Sequence, residues 1–151
     1  MMNAARLIAS GFGCGFARPA PGTVASALAL LPGVALLEFA PQLLPVVAFL
    51  VVVAGIWAIH AARVDDDPGW VVIDEIAGQL LALCGLVHAS VLGVALASLI
   101  FRLLDVSKPG PIGWADQQAG AVGIMADDVL GGAIVAGILW AMNARLPALF
   151  S

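Results

Sequence analysis

Long apolar segments with little or no charge alternate with short polar stretches along this chain. The first apolar segment runs from Val24 to Phe39, where Pro32-Gly33 is expected to interrupt a helix. The second, from about Leu43 to Ala62, has no Asp, Glu, Lys or Arg and is roughly the 20 residues that cross a bilayer core. A further apolar helix is predicted from Val129 to about Leu146. These segments predict three membrane-spanning helices.

The uncharged segment from Ile76 to Phe101 has two interpretations. A single crossing would separate the polar stretches on either side of it onto opposite membrane faces. A hairpin of two shorter helices, from Asp74 to about Leu86 and from about Ser90 to Leu104, would keep both polar ends on one face. A helix of about twelve residues reaches only part way across the bilayer, so this pair would be re-entrant or buried in the bundle.

We favour the hairpin. The predicted fold is therefore all-α: a small integral-membrane helical bundle with about three spanning helices and a re-entrant or buried hairpin that carries an acidic site at one membrane face. Residues 1–151 are expected to form one membrane-embedded domain.

The polar stretches contain nearly all of the acidic residues. Of the ten Asp and Glu residues, only Glu38 lies outside residues 65–128. Charged side chains next to or within apolar spans are seldom accidental, since each costs roughly 2.5–3.5 kcal/mol near the helix centre on insertion scales. Three stretches contribute to the predicted site: Asp65, Asp66, Asp67, Asp74 and Glu75; Arg102, Asp105 and Lys108; and Asp127 with Asp128.

Carboxylates without suitably spaced Cys or His are hard oxygen ligands, which favours Mg²⁺ over zinc. Asp74-Glu75 and Asp127-Asp128 are each expected to begin a helix, where the helix dipole favours their ionised form. Asp105, near a helix end, needs a cation, either Arg102 or a metal. Lys108 could hold a phosphate, so the pattern indicates metal-assisted phosphate hydrolysis.

The segment from Ser10 to Thr23 is rich in glycine and proline, which disfavours a regular helix. Thr23 is expected to be the N-cap of the first long helix. Backbone N–H groups at this helix start, with Arg18 nearby, could hold an anion. The alternative is a capped membrane-entry loop.

Composition supports a membrane protein. The chain is 62% hydrophobic and 11% charged, with a mean hydropathy of +1.08, whereas soluble domains are about half apolar and a quarter charged. The net charge of −4 argues against nucleic-acid binding, and no protein partner is predicted. By the positive-inside tendency, the acidic face is cytoplasmic. That face would carry Arg6, Arg18, Arg63, Arg102 and Lys108, with Arg145 opposite.

Two function classes fit these features. Acids within a membrane also line cation pathways, so a small ion-binding or transport protein is the alternative to an enzyme. Acids clustered at helix ends on one face, together with Lys108, favour an interfacial enzyme. Phosphate release, as opposed to ion flux in liposomes, separates the two.

Several motifs, in order along most of the chain, resemble the phosphatidylglycerophosphatase A family. They are Pro21-Gly22-Thr23; Asp67 through Asp74-Glu75 with Gly78; Phe101-Arg102 with Asp105 and Lys108-Pro109-Gly110-Pro111-Ile112; Asp116; and Gly123-Ile124-Met125 with Asp127-Asp128. Gly110 departs from the tryptophan that follows Lys-Pro in some members.

The resemblance implies a Mg²⁺-dependent enzyme of the bacterial inner membrane. Its substrate would be phosphatidylglycerophosphate, which loses its terminal phosphate to give phosphatidylglycerol. The implied metal ligands are Asp67, Asp74, Glu75, Asp105, Asp127 and Asp128. The implied catalytic residues are Asp74, Glu75, Asp105 and Asp128, and the substrate-binding residues are Lys108, Arg102 and Thr23.

Overall fold

A computed structural model describes residues 3–150. Within this range the chain forms α-helices and short 3₁₀ turns and no strand, so the all-α prediction is confirmed. The helices are α1 (Ala4–Ala9), α2 (Pro21–Phe39), α3 (Leu44–Ala61), α4 (Ile73–Leu83), α5 (Val91–Ser107), α6 (Pro111–Asp116) and α7 (Gly120–Arg145). The 3₁₀ turns are Cys14–Phe16, Pro41–Leu43 and Pro147–Leu149.

Three of the described helices are long and apolar enough to cross a membrane: α2, α3 with its preceding turn, and α7. They correspond to the three predicted spans. The expected interruption of α2 at Pro32-Gly33 is wrong, because the helix continues through Pro32. Gly33 lies against α4, where an added Cβ would be 2.5 Å from Leu83 Cδ1. This close packing supports α2 where proline removes a backbone hydrogen bond.

The hairpin prediction is confirmed by α4 and α5. Ser90 caps α5 by accepting a hydrogen bond from the backbone N–H of Gly93 at 3.1 Å. The turn lies beside the end of α2, since the backbone N–H of Ala89 donates to Glu38 Oε1 at 2.6 Å. With 17 residues, α5 is about 25 Å long. The hairpin thus extends to the C-terminal end of α2, and not only part way across the bilayer as predicted.

The expected start of the last helix at Asp127-Asp128 is wrong. Helix α7 begins at Gly120, so both acids lie in its third turn and gain nothing from its N-terminal dipole. Gly123 lets the first turn of α7 approach the carbonyl oxygen of Gln118, which an added Cβ would overlap. The short helix α6 and the first turn of α7 separate Lys108 from these two acids. Asp74 and Glu75 do lie in the first turn of α4, as expected.

Helices α4 and α7 touch backbone to backbone. A Cβ on Gly132 would overlap the carbonyl oxygen of Gly78, and one on Gly85 would overlap the backbone of Ala136. Small residues at such crossings allow the dispersion contacts that hold helices together in lipid. Asp74 and Asp128 each lie four residues before a glycine of this crossing, on the same helix faces. The crossing therefore sets the distance between the two helices that carry these carboxylates.

We predict that Gly132→Ala destabilises the bundle by about 1–3 kcal/mol, because a methyl group must be forced between two backbones. Gly137→Ala is the matched control: it lies on the same helix, where an added Cβ meets no atom within 4 Å. Gly137→Ala should be stabilised by up to about 1 kcal/mol, because alanine has a higher helix propensity than glycine. Thermal unfolding in detergent measures the stability of both variants. Equal midpoints for the two variants would contradict the close crossing.

Candidate active site

Three carboxylates form a buried cluster at one end of the bundle. Asp74 and Glu75 come from the first turn of α4 and Asp128 from α7, and one oxygen of each lies within 4.8 Å of the others. Asp74 and Asp128 are only 4% and 2% exposed. In the described chain, Asp74 Oδ1, Glu75 Oε2 and Asp128 Oδ1 are buried without a hydrogen-bond partner. We call Asp74, Glu75 and Asp128 the carboxylate cluster.

Arg102 connects this cluster to two other helices. Its Nη1 lies 3.9 Å from Glu75 Oε1 and forms an ion pair with Asp105, one turn further along α5. Its Nη2 donates to Thr23 Oγ1 of α2 at 3.4 Å. Asp105 therefore has the cationic partner that its position at a helix end requires, and its carboxyl group lies against that of Asp128.

The start of α2 makes room for Glu75. Pro21 begins the helix and Ala20 is the N-cap, so the prediction of Thr23 as N-cap is wrong. Proline is favoured in the first turn because its fixed φ suits the helix. A Cβ on Gly22 would overlap Glu75 Oε1 and lie 3.3 Å from Arg102 Nη1. In the Pro-Gly-Thr motif, Pro21 thus begins the helix and Gly22 leaves space for the Glu75 carboxylate. Thr23 accepts the hydrogen bond from Arg102.

Lys108 forms ion pairs with two further acidic residues beside the carboxylate cluster. It is the C-cap of α5 with φ +44°, a left-handed conformation that few residues other than glycine adopt. Its Nζ donates to Asp127 Oδ2 at 2.6 Å and also to Asp116. Burial alone would lower the pKa of Lys108, but its bonds to Asp116 and Asp127 outweigh burial and raise that pKa above its usual value.

An outer cavity of about 240 Å³ lies next to Lys108. Its acidic lining residues are Asp65, Asp66, Asp67, Asp116 and Asp127. Asp67 is exposed as a residue, yet partial burial of its carboxyl group raises its pKa to about 6. The positive charge of Lys108 lowers this pKa, and the negative charges of Asp127, Asp116 and Asp105 raise it.

The six predicted metal ligands therefore occupy neighbouring positions and do not converge on one point. Asp74, Glu75 and Asp128 are brought together. Asp105 lies beside them and is paired with Arg102. Asp67 and Asp127 line the outer cavity, where Asp127 is paired with Lys108.

The carboxylate cluster fits a hard divalent cation. Burying ionised carboxylates without partners costs several kcal/mol each, and a bound cation would satisfy the three free oxygens. Oxygen donors alone are the set that magnesium or calcium prefers. Arg102 and Lys108 are each engaged with two carboxylates and leave Asp74 and Asp128 without a salt bridge within residues 3–150.

Sequence reasoning missed a polar layer one helical turn below the cluster. Gln79 is fully buried, and neither its amide nitrogen nor its oxygen has a partner among the described residues. The buried hydroxyl of Ser98 is also without a partner there. Gln79 lies four residues after Glu75, and Ser98 four before Arg102. The sequence signal that could have identified Gln79 and Ser98 is this spacing of four residues from a charged residue on the same helix. A single polar residue by itself forms no motif.

Comparison with known proteins identifies a family for the chain. The Phosphatidylglycerophosphatase A family model matches residues 7–143. A phosphatidylglycerophosphatase A of Escherichia coli (strain K12) is 39% identical over 152 aligned positions, covering 97% of this chain and 88% of the relative. One from Haemophilus influenzae is 35% identical over 139 positions, covering 86% and 83%.

A Bacteroides thetaiotaomicron protein named as a putative phosphatidylinositol-3-phosphatase is 38% identical over 135 positions, covering 83% of this chain and 85% of the relative. No solved structure is significantly similar to the chain. The match of the family model over most of the chain, and two relatives of that name above 30% identity, show that the chain belongs to the phosphatidylglycerophosphatase A family.

Proposed function

We propose that this chain is a Mg²⁺-dependent phosphatase that hydrolyses the terminal phosphomonoester of phosphatidylglycerophosphate to phosphatidylglycerol and phosphate. The family and the names of two relatives support the substrate. The observation that carries the chemistry is the carboxylate cluster, with three buried oxygens that lack partners in the described chain.

Charge balance explains why a cation is needed. A phosphate dianion is repelled by uncompensated carboxylates, and the repulsion is stronger in a buried site than in water. When bound by Asp74, Glu75 and Asp128, Mg²⁺ supplies Lewis-acid activation of the phosphoryl group and of an attacking water. The cluster is recessed among α4, α5 and α7, which limits access of bulk water.

The cationic side chains have separate tasks in this proposal. Arg102 turns its guanidinium from Asp105 and Glu75 toward the phosphate, while Thr23 keeps its second nitrogen in place. Lys108 holds the phosphate as a point charge beside Asp127, a residue that lines the outer cavity. Asp67 and Asp127 attract the cation through that cavity. In this proposal Asp105, which lies beside Asp128 and Arg102, accepts a proton from the attacking water.

The acidic end is proposed to face the cytoplasm at the bacterial inner membrane. Arg102 and Lys108 lie at this end of the bundle, whereas Arg145 lies at the other end of α7. Lys and Arg near span ends favour the cytoplasmic side.

The ion-transport alternative finds less support in this packing. On α4, the residues beyond Gln79 include buried Leu80 and Leu83, which belong to an apolar cluster with Phe101. Charged and polar residues within a membrane mark cation pathways, and on α4 an apolar layer follows Gln79 instead of further polar groups. The acidic groups therefore serve a site at one membrane face.

We predict phosphate release from phosphatidylglycerophosphate by the purified protein in detergent with Mg²⁺, loss of release with EDTA, and recovery when Mg²⁺ is added back. Asp128→Asn should lower kcat at least about 100-fold, because even residues that only support metal ligands cost 10–100-fold. Asp65→Asn, an exposed acid of the outer cavity, is the control and should stay within a few-fold of the unaltered protein.

Phosphatidylinositol 3-phosphate serves as a second substrate in this assay, because one relative is named for it. A higher kcat/KM for phosphatidylinositol 3-phosphate than for phosphatidylglycerophosphate would show that the proposed substrate is wrong. Activity that persists in EDTA, or an Asp128→Asn variant that is folded and fully active, would refute the metal-dependent site.

We also predict that Gly22→Ala separates activity from stability. The added methyl group must displace the Glu75 carboxylate, a flexible group, so the fold should keep or slightly gain stability. A displacement of about 1 Å at a reacting centre costs on the order of 100-fold, so kcat should fall by at least tenfold. Steady-state kinetics and thermal unfolding are measured together, with Gly137→Ala as control. Unchanged kcat in Gly22→Ala would show that the position of Glu75 does not matter.

A further inference from the structure

An apolar groove of about 470 Å³ lies between α2 and α5 on the outside of the bundle. Leu30 and Val34 form its α2 wall, and Val91, Val94, Ala95 and Ser98 form most of its α5 wall. Ser98 is the one polar side chain among the groove's lining residues, and its hydroxyl has no partner within residues 3–150. A groove of this kind, on a helix pair among membrane spans, opens toward hydrocarbon.

Both walls lead to the candidate active site. On α5, Val91, Ala95, Ser98 and Arg102 follow at intervals of four, three and four residues, which places them on one helix face. On α2, Leu30 and Val34 follow Thr23 by seven and eleven residues and share a face with it. Arg102 and Thr23 themselves are joined by a hydrogen bond of 3.4 Å. The groove therefore runs toward the side chains that hold the proposed phosphate, and its nearest lining residue, Ser98, lies four residues before Arg102.

Polarity changes along the groove in the same direction. The end away from the site is apolar, and Val91 there is 88% exposed. Ser98, the lining residue nearest Arg102 on α5, lies one helical turn from it, so apolar walls give way to charged side chains within about 6 Å. Phosphatidylglycerophosphate has the same order: a charged headgroup with its terminal phosphate, glycerol and phosphodiester, then the esterified glycerol, then the hydrocarbon chains.

We propose that this groove binds one acyl chain of the lipid substrate, which enters laterally from the membrane. This inference rests on the proposed function. A headgroup held at Arg102 brings its acyl chains with it, and the groove is the apolar path that begins one helical turn away along α5.

The experiment compares two substrates and two tryptophan variants. Ala95→Trp fills the groove, whereas Leu99→Trp adds the same ring to an exposed position of α5 that does not line the groove. The substrates are diacyl phosphatidylglycerophosphate and its water-soluble deacylated form, which carries the same phosphomonoester. Ala95→Trp should lower kcat/KM at least tenfold on the diacyl lipid and leave the deacylated substrate unchanged. Leu99→Trp should change neither.

Two results would overturn the groove assignment: full activity of Ala95→Trp on the diacyl lipid, or equal losses on both substrates. Phosphate release from neither substrate by the unaltered protein would instead refute the proposed function. The groove is then judged by labelling alone, so the two failures are distinguishable.

Labelling uses lipids that carry a diazirine on one acyl chain. Phosphatidylglycerophosphate so labelled should crosslink to residues 91–98, and Ala95→Trp should abolish the crosslink. Phosphatidylcholine with the same chain should label residues 91–98 at least tenfold less. Equal labelling by both lipids would identify the groove as a site for bulk membrane lipid and overturn the proposal.

Discussion

The contact between Gly78 of α4 and Gly132 of α7 determines how the acidic end can be built. Two helices in lipid gain little from excluding water, so their attraction depends on how closely their atoms approach. Glycine at both positions brings the backbones together, and four residues earlier each helix presents an aspartate. Two buried carboxylates repel each other, and the glycine contact holds the helices together against that repulsion. The site therefore depends on dispersion forces one turn below it.

Much of this arrangement was predictable because it depends on local rules. Apolar length predicted the three spans, and the requirement that acids share a face predicted the hairpin with Asp74 and Glu75 at its start. The grouping of Arg102 with Asp105 followed from helix register and the absence of dipole support. The candidate residues were found by their charge, which is conspicuous in a chain of this composition.

Two of the errors share one cause: glycine and proline were taken as residues that interrupt or precede a helix. Pro32 lies inside α2 and Pro21 begins it, because tertiary packing supports a helix that local preference would end. Gly22 and Gly123 are needed for the space that they leave next to another chain segment. Neither that space nor the partnerless Gln79 can be read from a linear pattern, since both depend on which helices become neighbours.

The acidic start of α4 also constrains how the protein is assembled. An 11-residue helix that carries Asp74, Glu75 and Gln79 is too short and too polar to partition into a bilayer by itself. The spans α2, α3 and α7 meet the apolar requirement without help. Biogenesis should therefore proceed in two stages, in which the independent spans insert first and the hairpin follows into the space between them. The functional part of the chain is then the last to reach its position, and its arrival depends on neighbours that are already in the membrane.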